Sequence, residues 1–215
     1  MKKTFLLSCL MLAAMPVMAA YTGHVYVDKN KNGVFDQSEK PLAGIKVSDG
    51  LNVVETAADG SFTLPGHERE RFIFITTPSG YKTFNRHYHK IEKKQSGYDF
   101  GLIPYSGRIR KDGSHRYIHI TDTEIFNTEN HADWVNNVHD YARNEQAAFI
   151  IHTGDLCYEK GLKAHIKLMN TENMDCPVFY CIGNHDLVKG KYGEELFESI
   201  YGPVYYSFDA GNVHY

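Results

Sequence analysis

Apolar residues in this chain follow one rhythm up to residue 103 and another from residue 117, which demands two different kinds of fold. Between Tyr21 and Ile103 they fall in short β-rich runs: Gly23–Val27, Gly44–Ser48, Ser61–Leu64, Arg71–Ile75 and Tyr98–Leu102. The turn pairs Asp49-Gly50, Asp59-Gly60 and Pro65-Gly66 separate them. Strands at that spacing predict an all-β sandwich over 21–103. Residues 104–114 are polar and read as a linker. From Tyr117 strands and helices alternate. Tyr117–Ile120, Ala147–Ile151 and Val178–Ile182 read as strands. Trp134, Val135, Val138, Tyr141 and Ala142 recur at helical spacing, as do Leu162, Ile166 and Met169, and then Leu196, Phe197, Ile200 and Tyr201. Tyr205–Phe208 and Val213–Tyr215 read as a closing hairpin. Such alternation predicts an α/β unit over 115–215, with a largely parallel sheet whose chemistry collects where the strands end.

The first twenty residues read as an export signal. Lys2 and Lys3 precede the apolar run Phe5–Met18, and Ala19 and Ala20 offer small residues for cleavage. The run is shorter than the roughly 20 residues a membrane span needs, so the expectation is an exported protein with no span after cleavage. Without Lys2 and Lys3, 21 basic residues face 26 acidic ones, and that mild acidity argues against a nucleic-acid-binding surface. Cys157, Cys176 and Cys181 match no zinc-knuckle spacing. Their odd number leaves at least one thiol outside an internal disulfide. Cys181, in an apolar strand pattern, reads as a buried thiol.

Three polar clusters follow the three predicted strands: Asp122-Thr123-Glu124, Gly154-Asp155 and Gly183-Asn184-His185-Asp186. One carboxylate after a strand is ordinarily a cap or a solvated loop residue. Three clusters converging on one edge make an oxygen- and nitrogen-rich site suited to divalent metals. Taken in order, they resemble the opening signature of calcineurin-like metallophosphoesterases, and the match runs from Tyr117 to the end. The tail from Gly202 to Phe208 and from Gly211 to Tyr215 resembles exported bacterial members, which implies a periplasmic or cell-surface location.

The resemblance implies an αββα phosphoesterase sandwich, present here in its N-terminal part, that hydrolyses phosphate mono- or diesters with two divalent metals (Mn, Fe or Zn). Asp122 would bind the first metal, Asp155 would bridge both, and Asn184 would bind the second. His185 would sit near the phosphate as the catalytic histidine. Glu124 stands where the family usually has His; it is either a ligand, tilting preference away from zinc, or no ligand at all. The family's further ligands, a lone His and a Gly-His-x-His element, are not among the 215 residues, so weak metal binding is expected. His214, inside the last strand pattern, reads as a packing residue; His115, His119 and His152 read as structural. The alternative is a non-catalytic surface or periplasmic binding protein with an inactive phosphoesterase half-domain.

One more motif lies in the first domain. Asp28, Asn30, Asn32, Asp36 and Glu39, with Gly33 at the sixth position, fit the twelve-residue calcium-loop template. The flanks read as strands, so the loop is either a calcium site like those of prealbumin-like or adhesin-type repeats, or an Asx-rich solvated turn.

Overall fold

The computed structural model describes residues 20–84, 86–106, 108–157, 161–187 and 192–215. The export-signal reading of residues 1–20 therefore lies outside the described residues, apart from Ala20. The first domain runs through nine strands: β1 (Tyr21–Val27), β2 (Lys40–Pro41), β3 (Lys46–Ser48), β4 (Val53–Glu55), β5 (Ser61–Leu64), β6 (Phe72–Ile75), β7 (Tyr81–Thr83), β8 (Tyr88–Lys90) and β9 (Phe100–Pro104). One sheet has the order β2-β1-β9-β7 with β5 on β1, and the other has the order β4-β3-β6-β8. The sheets share one core. Val25, Phe62, Leu64, Phe100 and Leu102 of the first pack with Val47, Ile73 and Ile75 of the second. All four residues of β6 are buried, as expected for a strand covered on both faces.

The second domain holds β10 (Tyr117–Ile120), α1 (Ala132–Asn144), β11 (Phe149–His152), α2 (Leu162–Leu168), β12 (Val178–Tyr180), α3 (Glu195–Tyr201), β13 (Asp209–Ala210) and β14 (Val213–His214). Strands β10, β11 and β12 pair in parallel in that order. The central strand β11 is buried along most of its length, with Phe149, Ile150 and His152 shielded from solvent. Helix α1 turns Val135 and Ala142 inward, and Asp133 in its first turn and Arg143 in its last suit the helix dipole. Residues beyond Pro104 are docked rather than loose, since Arg108 donates to the Ala147 carbonyl and to Asp175, each at 3.0 Å. Among the described residues, no helix is long and apolar enough to cross a membrane.

Three sequence readings change. The hairpin is β13–β14 extended by the paired Phe208 and Tyr215, and residues 205–207 lie outside it because the aromatics at 205 and 206 pack elsewhere: Tyr205 lies edge-on to Phe74 and Tyr206 bonds to the Tyr180 backbone. His214 is exposed and faces Asp209 at 2.6 Å rather than packing. Cys181 is exposed, just past the end of β12, while Cys157 and Cys176 are buried; all three are free thiols.

The two domains meet along a seam of aromatic and polar contacts, with Tyr206 packed on Phe72, Phe74 and Tyr88. Thr77 and Phe208 form a parallel bridge, and Thr76 and Ser207 share a hydroxyl hydrogen bond of 2.8 Å. The Tyr88 hydroxyl donates to the Ile200 carbonyl at 3.0 Å, and Arg71 pairs with Glu198 at 2.5 Å.

Candidate metal centre

Because β10, β11 and β12 are parallel, their C-terminal ends open on one edge, and each is followed by one of the polar clusters. The first two loops continue side by side past the sheet. Asp122 N–H donates to the Gly154 carbonyl (3.2 Å), Glu124 N–H to Asp155 (3.3 Å) and Ile125 N–H to Leu156 (3.0 Å). The third loop is held by Asp186, whose fully buried carboxylate accepts from the Gly183, Leu156 and Cys157 amides at 2.8, 3.2 and 3.1 Å. Burial pushes the Asp186 carboxyl up from its ordinary range, against the pull of those three donors.

Two glycines let the loops close on each other. A Cβ on Gly154 would lie 2.8 Å from the Gly183 Cα, and one on Gly183 would fall 2.1 Å from the Asp155 N and Oδ1. In the space this leaves, His185 N–H donates to Asp155 Oδ1 at 3.0 Å. The His185 Nδ1 lies 3.3 Å from Glu124 Oε1 and 3.8 Å from Asp155 Oδ2. Asn184 opens the 3-10 turn that carries His185. Asp122 is exposed, with its Oδ2 accepting from the Thr121 hydroxyl at 2.6 Å.

The three carboxylate residues share an unusual backbone. Asp122, Glu124 and Asp155 have φ of 52°, 46° and 50°, the left-handed region that costs a residue with a Cβ about 1–2 kcal/mol. Such strain persists only where surrounding contacts over-determine it, and it clusters at ligand clamps. Carboxylate oxygens from two loops beside an imidazole from the third fit a hard or borderline divalent cation. Glu124 belongs to this cluster, facing His185.

Family comparison adds the deciding observation. Residues 29–104 match the model of the N terminal of Calcineurin-like phosphoesterase, and residues 115–213 match Calcineurin-like phosphoesterase itself. The chain belongs to the calcineurin-like phosphoesterases. This family is one of metal-dependent enzymes, and the α/β unit of the chain carries its fold. No curated protein matches the chain.

Other polar groupings of this calcineurin-like phosphoesterase lie in its first domain. Asp49, His67 and Glu70 place one ligand atom each within 4.8 Å of one another, a cluster no sequence motif announces. Each of its three side chains already accepts hydrogen bonds from within the protein. Asp49 accepts from the Leu51 and Asn52 amides and from the Asn52 side chain. Glu70 accepts from the Tyr21 hydroxyl and the His67 amide. Arg69 N–H donates to His67 Nδ1 at 3.2 Å, which leaves the ring proton on Nε2. The arrangement suits a hydrogen-bonded loop knot better than a cation.

In the Asp28–Glu39 loop, Asp28 and Glu39 are buried. Asp28 accepts from the Asn32 and Gly33 amides, and Glu39 from the Lys29 and Asp36 amides. Asp36 Oδ2 accepts from the Asn30 and Asn32 side chains at 2.7 and 3.0 Å. A cleft of about 640 Å³ lies between the domains, lined by Arg86, His87, Asn170, Thr171, Tyr180 and Tyr201; it contains none of the motif carboxylates.

Proposed function

We propose that this protein is an exported phosphoesterase that hydrolyses phosphate mono- or diesters with two divalent metal ions. The observation that carries the reading is the meeting of Glu124, Asp155 and His185, from three separate loops, within 3.3 and 3.8 Å in a chain of the calcineurin-like family. The leader-like residues 1–20 support export to the periplasm or cell surface.

Asp122 and Glu124 would hold one ion, Asn184 the other, and Asp155 both. Bound there, such ions lower the pKa of a coordinated water and neutralise the phosphoryl oxygens. Asp155 suits the bridging place because the His185 amide fixes Oδ1 while Oδ2 remains on the side of the His185 ring. Glu124 Oε1 and Asp155 Oδ2 lie on the Nδ1 side of the His185 imidazole. Beside the phosphate, His185 would stabilise its charge or protonate the leaving oxygen. Glu124, in place of a histidine, favours manganese or iron over zinc.

The test is titration of the purified chain with manganese, iron or zinc up to millimolar concentration, since binding is expected to be weak, with hydrolysis of p-nitrophenyl phosphate and bis-p-nitrophenyl phosphate in the same metals. Asp155→Asn should lose both metal and turnover, while His185→Ala should keep metal and lose turnover. A folded chain that takes up no divalent metal overturns the reading. Metal uptake without hydrolysis of either ester would instead support a non-catalytic binding protein. Export is checked by N-terminal sequencing of secreted material, which should begin at Ala20 or Tyr21; an intact Met1 there rejects it.

A further inference from the structure

Between the ligand candidates Asp122 and Glu124 sits Thr123, whose side chain turns into the protein. Its hydroxyl lies 2.9 Å from the Leu156 carbonyl and 2.9 Å from His152 Nε2. A carbonyl only accepts, so the single hydroxyl proton goes to Leu156. His152 Nε2 must then carry its own proton and donate it to Thr123, leaving Nδ1 bare. The same logic fixes a second ring. Tyr201 donates its proton to the Leu162 carbonyl at 3.0 Å, so His165 Nδ1, 2.9 Å from the Tyr201 oxygen, is the donor there and its Nε2 is bare. Both imidazoles are fully buried and stand edge to face, 5.2 Å apart.

Neither His152 Nδ1 nor His165 Nε2 has a hydrogen-bond partner among the described residues. A buried, unsatisfied acceptor is unfavourable, and an apolar side chain of similar size would avoid that cost. What the imidazole supplies at position 152 is therefore its Nε2 proton. Burial agrees, pushing His152 down to about 4, so the ring stays neutral at physiological pH.

We propose that His152 and Thr123 are positioning residues that set the spacing of the metal ligands. The inference rests on reading Asp122, Glu124 and Asp155 as those ligands. Thr123 ties the β10 loop to the β11 loop at Leu156, one residue beyond Asp155. His152, the last residue of β11, locks the hydroxyl in that orientation. Without the tie, Asp122 and Glu124 have fewer contacts holding them in the left-handed backbone. Their carboxylates would relax away from Asp155.

The test uses the full chain and manganese as the probe. Thr123→Val keeps the shape and removes the hydroxyl, and His152→Leu removes the donor. Each should weaken manganese binding, measured by calorimetry, by about 10- to 100-fold, the usual range for an outer partner of a metal ligand. Thr123→Ser and His152→Gln, which retain a hydroxyl and an N–H at the Nε2 place, should stay within about threefold of wild type. In metal-free protein, imidazole nitrogen NMR should report His152 as the neutral Nε2–H tautomer at pH 7. Thr123→Val binding manganese like a manganese-binding wild type overturns the proposal, as does an Nδ1–H tautomer. A wild-type chain that binds no manganese overturns the ligand reading, and this inference with it. Should His152→Leu not fold, the two Thr123 variants decide.

Discussion

Acid should destabilise this protein before its ordinary carboxylates titrate. Burial pushes His87 and His152 each down to about 4, and His165 well below its ordinary value. In the unfolded chain each returns to about 6.5. Between those values the unfolded state binds more protons than the folded one, so stability is lost as pH falls. For an imidazole displaced from about 6.5 to about 4, moving from pH 7 to pH 5 removes roughly 2 kcal/mol. His87 and His152 together therefore remove about 4 kcal/mol, and His165 adds to the loss. Asp186 acts in the opposite sense, because its raised carboxyl takes up a proton more readily in the folded state, and so it offsets part of the loss. Against a typical total of about 5–15 kcal/mol the net effect is large. Urea unfolding followed by circular dichroism at pH 7 and pH 5 reads it directly. With a slope near 2 kcal/mol per molar, the midpoint should fall by about 2 M, and His87→Leu should recover about half of that. Equal midpoints at the two pH values would refute the reasoning.

Further expectations concern single contacts. Gly183→Ala places a Cβ 2.1 Å from Asp155 N and Oδ1; by displacing a ligand it should cost about 100-fold in kcat/KM and lower metal content, and normal metal content in that variant would count against the site. Arg71→Ala leaves the buried Glu198 carboxylate with the Tyr192 hydroxyl at 2.8 Å as its side-chain partner among the described residues. Because half of Arg71 is in water, the loss should be about 2 kcal/mol, less than for a fully buried pair. The melting temperature should then drop by about 4–8 °C, and an unchanged value would show that the pair contributes nothing. Millimolar calcium, compared with chelator, should raise the melting temperature by a few degrees through binding to the Asp28–Glu39 loop, and Asp36→Ala should abolish the response; identical melts reject calcium there.

What the sequence could reveal followed from local pattern. Tyr117–Ile120 and Ser61–Leu64 are strands over those same residues, because alternation or a short apolar run between turn residues is a local signal. The three helices were legible from their apolar spacing for the same reason. Strands such as Lys40–Pro41, Val53–Glu55 and Tyr88–Lys90 were not, being two or three residues long and defined by their partners rather than by their own composition. The run at 205–207 misled because aromatic residues wanted at a domain seam look like residues wanted in a strand. At the site, the motif residues could be listed in advance, but their meeting could not. The approach of His185 to Glu124, the left-handed backbone of three carboxylate residues and the anchoring role of Asp186 all depend on how separate loops close. The tautomer of His152 depends on a carbonyl at Leu156 that no motif marks.

The seam has a consequence for how such proteins can be taken apart. A cut at residue 104 falls between two family matches, yet it would strip Phe208 of its pairing with Thr77, Ser207 of its partner Thr76, and Glu198 of Arg71. The excised catalytic half would carry these raw edges into solvent, together with Tyr206, which rests 4.3 Å from the His87 ring. Separating the halves therefore costs all of these contacts at once. Grafting a different leading domain onto this catalytic unit would require carrying over the Arg71, Thr76, Thr77, His87 and Tyr88 footprint along with the join.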